Sequence, residues 1–278
     1  MNFRKLKHLL RGRCRESIPP AALPIESAPT AVIRYTGSYP TWAAAVEDST
    51  GYDSAIILEK TRTALLKVKN GEAVYERDSI LFDKIQHSFP VLAGLLRSAI
   101  VHDSRLCVVD FGGALGSSYF QCRGFLAVIR QLEWLVVEQP AHMKCGQESF
   151  ESEQLRFLPT IEECMLGHRP NTLLLSGVLQ YVPSPYALLK SLLQHRVHHV
   201  IIDRTAFLRS DRERLTVQHV PASIYSATYP AWFFSESQFQ VAITSAGYRL
   251  VADFPGSDDL SPEGEKAYFK GFIYEYCG

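Results

Sequence analysis

The sequence predicts an α/β fold: a mainly parallel sheet with helices on both faces, preceded by a helical cap. Three observations predict it. The stretch Leu106–Gly116, LCVVDFGGALG, joins a short apolar run to an acid and then to a glycine-rich turn. From Leu106 onward, apolar runs of strand length alternate with helical patterns, the rhythm of a parallel sheet. The next strand-like run, Trp134–Val137, again ends in an acid, Glu138.

Composition bounds the class. With 278 residues, 46% of them hydrophobic, the chain can bury a full core. Lys plus Arg equals Asp plus Glu at 29 each, which argues against a strongly basic nucleic-acid surface. No apolar run approaches the roughly 18 residues of a membrane span, and no apolar secretory leader stands at the start. Six cysteines without a C-x-x-C pair read as reduced thiols, so a cytoplasmic protein with no disulfide framework and no metal site is expected.

Three segments are expected: 1–30, a basic N-terminal piece with a Pro-rich linker; 31–100, a helical cap; and 101–278, the α/β domain. Met1–Arg15 carries six Lys/Arg and no acid, with Phe3, Leu6, Leu9 and Leu10 on one helical face. Its two readings are a frayed, solvated terminus and a peripheral contact with the inner face of a membrane. In the cap, Tyr39–Trp42 leads into a helix over Ala43–Glu47, with Thr41 as a possible cap. Tyr52–Val68, Asp78–Phe89 and Val91–Ile100 keep helical texture.

In the α/β domain, Leu106–Asp110 is the first strand. Gly112, Gly113 and Gly116 make a turn in which backbone amides can approach a ligand, and Ser117 or Ser118 can open the next helix. Trp134–Val137 is the second strand. An acid about 20 residues beyond a glycine turn is what ribose hydroxyls require, a role that falls to Glu138. Leu155–Leu158 is a third strand, with Thr160 or Glu162 after it as weak candidates for an adenine contact. Thr172–Leu175 is a fourth. The Ser176-Gly177 that follows lacks the flanking glycines of a hydrolase nucleophile elbow. Tyr186–Leu193 is a helix, and Val200–Ile202 is a fifth strand ending at Asp203-Arg204. His195, His198 and His199 precede it; without a further ligand they read as a helix C-terminal turn, not a metal site. Gln218–Phe234 is rich in aromatic residues, read either as an acceptor platform or as a packed loop. Ser235–Gly247 is a capped helix, and Tyr248–Ala252 and Phe269–Tyr276 are two last strands.

Asp110, Gly112 and Gly116 match the acid-G-x-G-x-G motif of class I S-adenosylmethionine-dependent methyltransferases, with Ala114 at the middle glycine. Leu106–Cys277 resembles that superfamily's Rossmann-like, seven-stranded fold, whose last two strands form an antiparallel hairpin. The phrases DFGGALGSSYFQ, VVEQP, LLSGVLQYVPSPY, IIDRT and YPAWFFS resemble a bacterial family of methyltransferases found among surface-polysaccharide (O-antigen-type) biosynthesis genes. The resemblance implies S-adenosyl-L-methionine as cofactor, held by Asp110, Gly112, Gly113, Gly116, Glu138, Ser176 and Gln180. It implies a small-molecule or glycan acceptor, with Arg204, Tyr229 and Trp232 beside it. A sugar hydroxyl would need a base; the candidates are His219, Asp203 and Tyr181, the histidine first because imidazole titrates nearest neutrality. Two alternatives remain at this level: a nicotinamide-dependent oxidoreductase, which shares the ribose acid, and a non-catalytic binding or scaffold module.

Overall fold

The computed structural model describes residues 33–50, 54–77, 79–222, 224–256 and 260–278. The basic stretch 1–15 and the linker 17–29 lie outside the described residues. Residues 31–278 form one compact unit.

The centre is a seven-stranded sheet. Five strands are parallel: β4 (Arg105–Phe111), β5 (Gln131–Val137), β6 (Leu155–Leu158), β7 (Thr172–Ser176) and β8 (His199–Leu208). Two more, β11 (Tyr248–Pro255) and β12 (Ala267–Tyr276), form an antiparallel hairpin, and β12 pairs antiparallel with β8. The order is β6-β5-β4-β7-β8-β12-β11. That order, with the reversed strand between β8 and the edge, is the class I methyltransferase fold expected from the sequence. An all-parallel dinucleotide-binding sheet lacks the reversed strand.

Helices cover both faces because both faces of the central strands are apolar. Leu106 and Val108 of β4, with Trp134 and Val136 of β5, face α3 (Phe89–Val101), α4 (Ser117–Leu126) and α5 (Pro140–Ser149). Cys107, Val109, Leu135 and Val137 face α6 (Ile161–Gly167), α7 (Pro185–Leu193) and α8 (Glu236–Thr244). The caps read from sequence form. Ser235 Oγ accepts from Gln238 N at the start of α8, and Gly247, at φ +89°, follows its end. Thr41 Oγ1 accepts from Ala44 N at the start of α1 (Trp42–Glu47).

Three expectations are corrected. The 31–100 segment is mixed, not helical throughout. Alongside α1, α2 (Ser54–Lys69) and α3 it contains β1 (Arg34–Tyr39) and a small hairpin, β2 (Tyr75–Arg77) with β3 (Ile80–Phe82), inside the stretch read as helix. The aromatic segment is not a loop. It belongs to β9 (Arg214–Val220) and β10 (Ala227–Phe233), which join β1 in a separate antiparallel sheet of order β1-β9-β10. Nor does the fifth strand stop at Asp203; it runs on to Leu208. Ile202 pairs with Phe272 and Thr205 with Lys270, so Asp203 and Arg204 together oppose Gly271 in a β-bulge. Arg204 sits there at φ +52°, left-handed backbone that an arginine rarely adopts. Gly271 has to be glycine, since a Cβ would stand 2.2 Å from the Phe254 ring and 2.7 Å from the Ile202 carbonyl oxygen. The extended half of β8 packs Ala206 and Leu208 against Tyr35, Ala231 and Phe233, which seats the small sheet over the strand ends.

Candidate functional site

The site starts at the turn after β4. Gly112 adopts φ +72° and donates its N–H to Val137 O at 2.9 Å. A Cβ on Gly112 would stand 2.4 Å from Val178, and one on Gly113 would stand 2.5 Å from the Asp110 carboxyl carbon. Both glycines therefore let neighbouring groups close on the turn. Ala114, at the motif's middle position, is left-handed at φ +50°, and its N–H donates to Glu138 Oε1 at 3.2 Å. An alanine in that region is strained where glycine is not. Ala114→Gly should therefore stabilise the protein by about 0.5–1 kcal/mol in urea unfolding, the left-handed penalty less glycine's entropy cost; a destabilised variant would contradict this reading of the turn.

Gly116 is reassigned. At φ +91° it is the residue that caps α4, and it packs against Leu155 and Phe157 instead of lining the cleft. Its role is to turn the chain into the helix. Ser117, expected as a possible cap, is the first helical residue, and its Oγ donates to Glu76 Oε2 at 2.6 Å.

Asp110 is 1% exposed, and its Oδ2 accepts from Trp134 Nε1 at 3.0 Å. Burial pushes its carboxyl up to about 7. The Trp134 hydrogen bond pulls the other way, the Glu138 charge adds to the rise and the Arg204 charge opposes it. A carboxylate held at such cost beside a glycine turn marks a functional site more often than a structural one.

Glu138 follows the last residue of β5, at the wall of the cleft. Its second oxygen accepts from Gln139 N at 2.7 Å, so two backbone amides fix the carboxylate and lone pairs remain for a ligand. Across from it, β7 ends at Ser176. Gly177 N donates to Asp203 O at 3.0 Å, and Arg204 Nε donates to Ser176 Oγ at 3.3 Å. Gln180 lies on the short 3-10 turn Leu179–Tyr181; its Nε2 donates to Arg204 O at 3.0 Å, which orients the amide. Its Oε1 is buried without a hydrogen-bond partner. An orphaned acceptor on the cleft wall is a place for a ligand N–H or O–H.

The small sheet roofs the cleft with alternate residues. Tyr181 Oη donates to Gln218 Oε1 at 2.9 Å, Gln218 Nε2 donates to Tyr229 Oη at 3.2 Å, and Tyr229 and Tyr225 hydroxyls are 3.2 Å apart. Strand periodicity puts the neighbours of these residues on the other side. His219 faces away from the cleft and hydrogen-bonds Thr36 Oγ1 at 2.8 Å. Trp232 packs with Ala45, Leu215 and Val217 beneath α1. His219 as base and Trp232 as acceptor platform are therefore both withdrawn.

The cleft encloses about 1710 Å³. The structure brings together on its wall Asp110, Gly112, Gly113 and Glu138 with Ser176, Gln180 and Tyr181. Asp203, Arg204 and Tyr229 join them, as do Thr160 and Glu162. Among the wall residues that escaped the sequence reading are Glu76 and Gln218. Glu76, 1% exposed, reaches in from β2 and accepts from Ser79 N at 2.7 Å as well as from Ser117. No local pattern announces it. Gln218 would have been found by alternation, had the aromatic segment been read as strand. Cys107, Cys122 and Cys164 are buried, and burial pushes each thiol up to about 12, which removes them as nucleophiles.

No protein-family model matches the sequence, and no curated protein matches it. Solved structures do. The glycopeptide N-methyltransferase MtfA with S-adenosylmethionine has 11% identity and a TM-score of 0.46, over 66% of this chain and 88% of that one. The N-terminal domain of EvdMO1, in the presence of S-adenosylhomocysteine and D-fucose, has 15% identity and a TM-score of 0.44, over 81% and 97%. The magnesium protoporphyrin IX methyltransferase of Synechocystis PCC 6803, with S-adenosylmethionine, has 13% identity and a TM-score of 0.43, over 82% and 99%. Identities of this size carry no function across, so the site stands on its own geometry.

Proposed function

We propose that the chain is an S-adenosylmethionine-dependent methyltransferase acting on a hydroxyl-bearing acceptor of the sugar or glycan class. One observation carries the reading: the glycine turn after β4 and the acid after β5 meet on the wall of one cleft, 3.2 Å from Ala114 N to Glu138 Oε1. Glu138 accepts from two ribose hydroxyls, and the close-packed Gly112-Gly113 backbone lies along the amino-acid end. Gln180 Oε1 supplies the acceptor that a buried N–H or O–H needs. Ligand pockets commonly hold about 300–1,000 Å³, so a cleft of about 1710 Å³ has room for a nucleoside and a second substrate.

When bound, the donor supplies a methyl group already activated on a sulfonium; what the chain adds is position and exclusion of water. Tyr181 and Tyr229 offer ring faces and hydroxyls, and Gln218 an amide, suited to a sugar, and this array supports the choice of acceptor class. With His219 facing away, the candidates for the acceptor's proton are Asp203 and Tyr181. Tyr181 already donates its own proton to Gln218, which leaves Asp203, 8% exposed beside Ser176, as the better base. The test is calorimetric titration of the purified chain with S-adenosylhomocysteine, followed by a turnover assay on sugar nucleotides and lipid-linked glycans. Saturable 1:1 binding with methyl transfer supports the reading. Binding without transfer to any acceptor would favour a scaffold module, and no binding would refute the donor.

A further inference from the structure

The three histidines read from sequence as a helix-end turn do not stay together. His195 pairs with Glu162 Oε1 at 3.5 Å. His198 and His199 instead meet His102, far upstream at the end of α3, on the side of the sheet where β8 begins. That side is opposite the cleft. Ring centroids are 4.9 Å apart for His102 and His198, 6.0 Å for His102 and His199, and 4.4 Å for His198 and His199. One ligand nitrogen from each ring lies within 4.8 Å of the others.

The ring nitrogens stand where a metal could draw them together. His102 Nδ1 is 2.7 Å from the Ser98 carbonyl, which can only accept, so Nδ1 carries the hydrogen and Nε2 presents its lone pair. The Nδ1 atoms of His198 and His199 are 3.1 Å apart and share a hydrogen bond, whose proton a metal would displace. Two ligand nitrogens on a tetrahedral zinc, each about 2.0–2.1 Å from the ion, stand about 3.3 Å apart. Glu275 Oε1 lies 3.9 Å from His198 Nε2, where a carboxylate behind a ligating imidazole belongs. Arg97 and Arg249 sit on the other oxygen of Glu275, at 2.9 and 3.3 Å, and the carboxylate offsets their charge. His199 is fully buried.

We propose that His102, His198 and His199 form a zinc site, with water in the fourth position, that ties the end of α3 to the start of β8. Imidazole donors in this number suit a borderline divalent ion such as Zn²⁺. Zinc would draw the three nitrogens inward from their present spacing by small ring rotations.

The experiment titrates chelator-treated full-length chain with Zn²⁺ against a chromophoric chelator, and with Co²⁺ by its visible d–d absorption. The expected result is one equivalent per chain. His102→Ala and His198→Ala should each weaken binding more than 100-fold, beyond the roughly 10–100-fold that losing an outer partner costs and that Glu275→Gln should show. His195→Ala should leave the affinity unchanged. Circular dichroism checks each variant's fold. His198 tolerates change, since its side chain is 38% exposed. Zinc at 100 times its dissociation constant should raise the wild-type melting temperature by roughly 5–10 °C and leave the His102→Ala/His198→Ala double variant unmoved. Wild type binding no more tightly than a folded double variant, or His195→Ala weakening binding as much as His198→Ala, would overturn the proposal.

Discussion

Replacing Asp110 by asparagine will make the protein more stable at neutral pH and will flatten its pH dependence. The Asp110 carboxyl is held up to about 7 in the folded chain, with burial as the first cause. In the unfolded chain an aspartate titrates near 3.9. Between those values the folded state binds a proton that the unfolded state has released, so stability falls as pH rises from about 4 to about 7 and stays low above. Three units at about 1.4 kcal/mol each bound the effect near 4 kcal/mol. Asparagine keeps an oxygen to accept from Trp134 Nε1 and never ionises, although its amide N–H groups need acceptors in a tight site. The net gain expected at pH 8 is about 2–3 kcal/mol, shrinking toward zero at pH 4. Urea unfolding of both chains across that range measures it. Parallel pH profiles for the two would mean that Asp110 ionises as an ordinary surface aspartate does.

The second large effect falls on ligand affinity. Glu138→Ala should weaken S-adenosylhomocysteine binding by about 1–3 kcal/mol, roughly five- to 150-fold, through the loss of charge-assisted hydrogen bonds to the ribose. Stability should change little, because the carboxylate's two protein partners, Ala114 N and Gln139 N, stand at the cleft, where water can replace it. Glu138→Gln keeps the shape and one acceptor, so it should fall between alanine and wild type. Unchanged affinity in both variants would take Glu138 out of the site.

The sequence revealed most where burial is complete. The central strands are covered on both faces, so Leu106–Val109, Trp134–Val137 and Thr172–Leu175 read as unbroken apolar runs, and each proved to be a strand. The acids at their ends, Asp110 and Glu138, stood out for the same reason. The small sheet was hidden because its pairing is remote: Thr36 lies opposite Val217. Nothing near Arg34–Tyr39 tells it from the helical texture that follows. Missing that sheet also cost the parity of β9. Had Gln218 and His219 been seen as consecutive strand residues, they would have been assigned to opposite faces, and one of them would have been set aside at once. Gly116 was misassigned for a related reason, since a motif marks where glycine is needed but not whether a ligand or a helix start needs it. The bulge at Asp203-Arg204 is settled by its partner, Gly271, and by the Phe254 ring behind it, neither of which is near it in sequence.

The pairing of β1 with β9 also sets a schedule for biosynthesis. At roughly 5–20 residues per second, a ribosome that has made Thr36 needs on the order of ten to forty seconds to deliver Val217. Until then β1 is a bare edge with its hydrogen-bonding groups unmatched, open to a neighbouring nascent chain. The roof over the cleft is thus among the last parts of the molecule that can assemble, and exchange of β1 between two copies is the misassembly this topology invites.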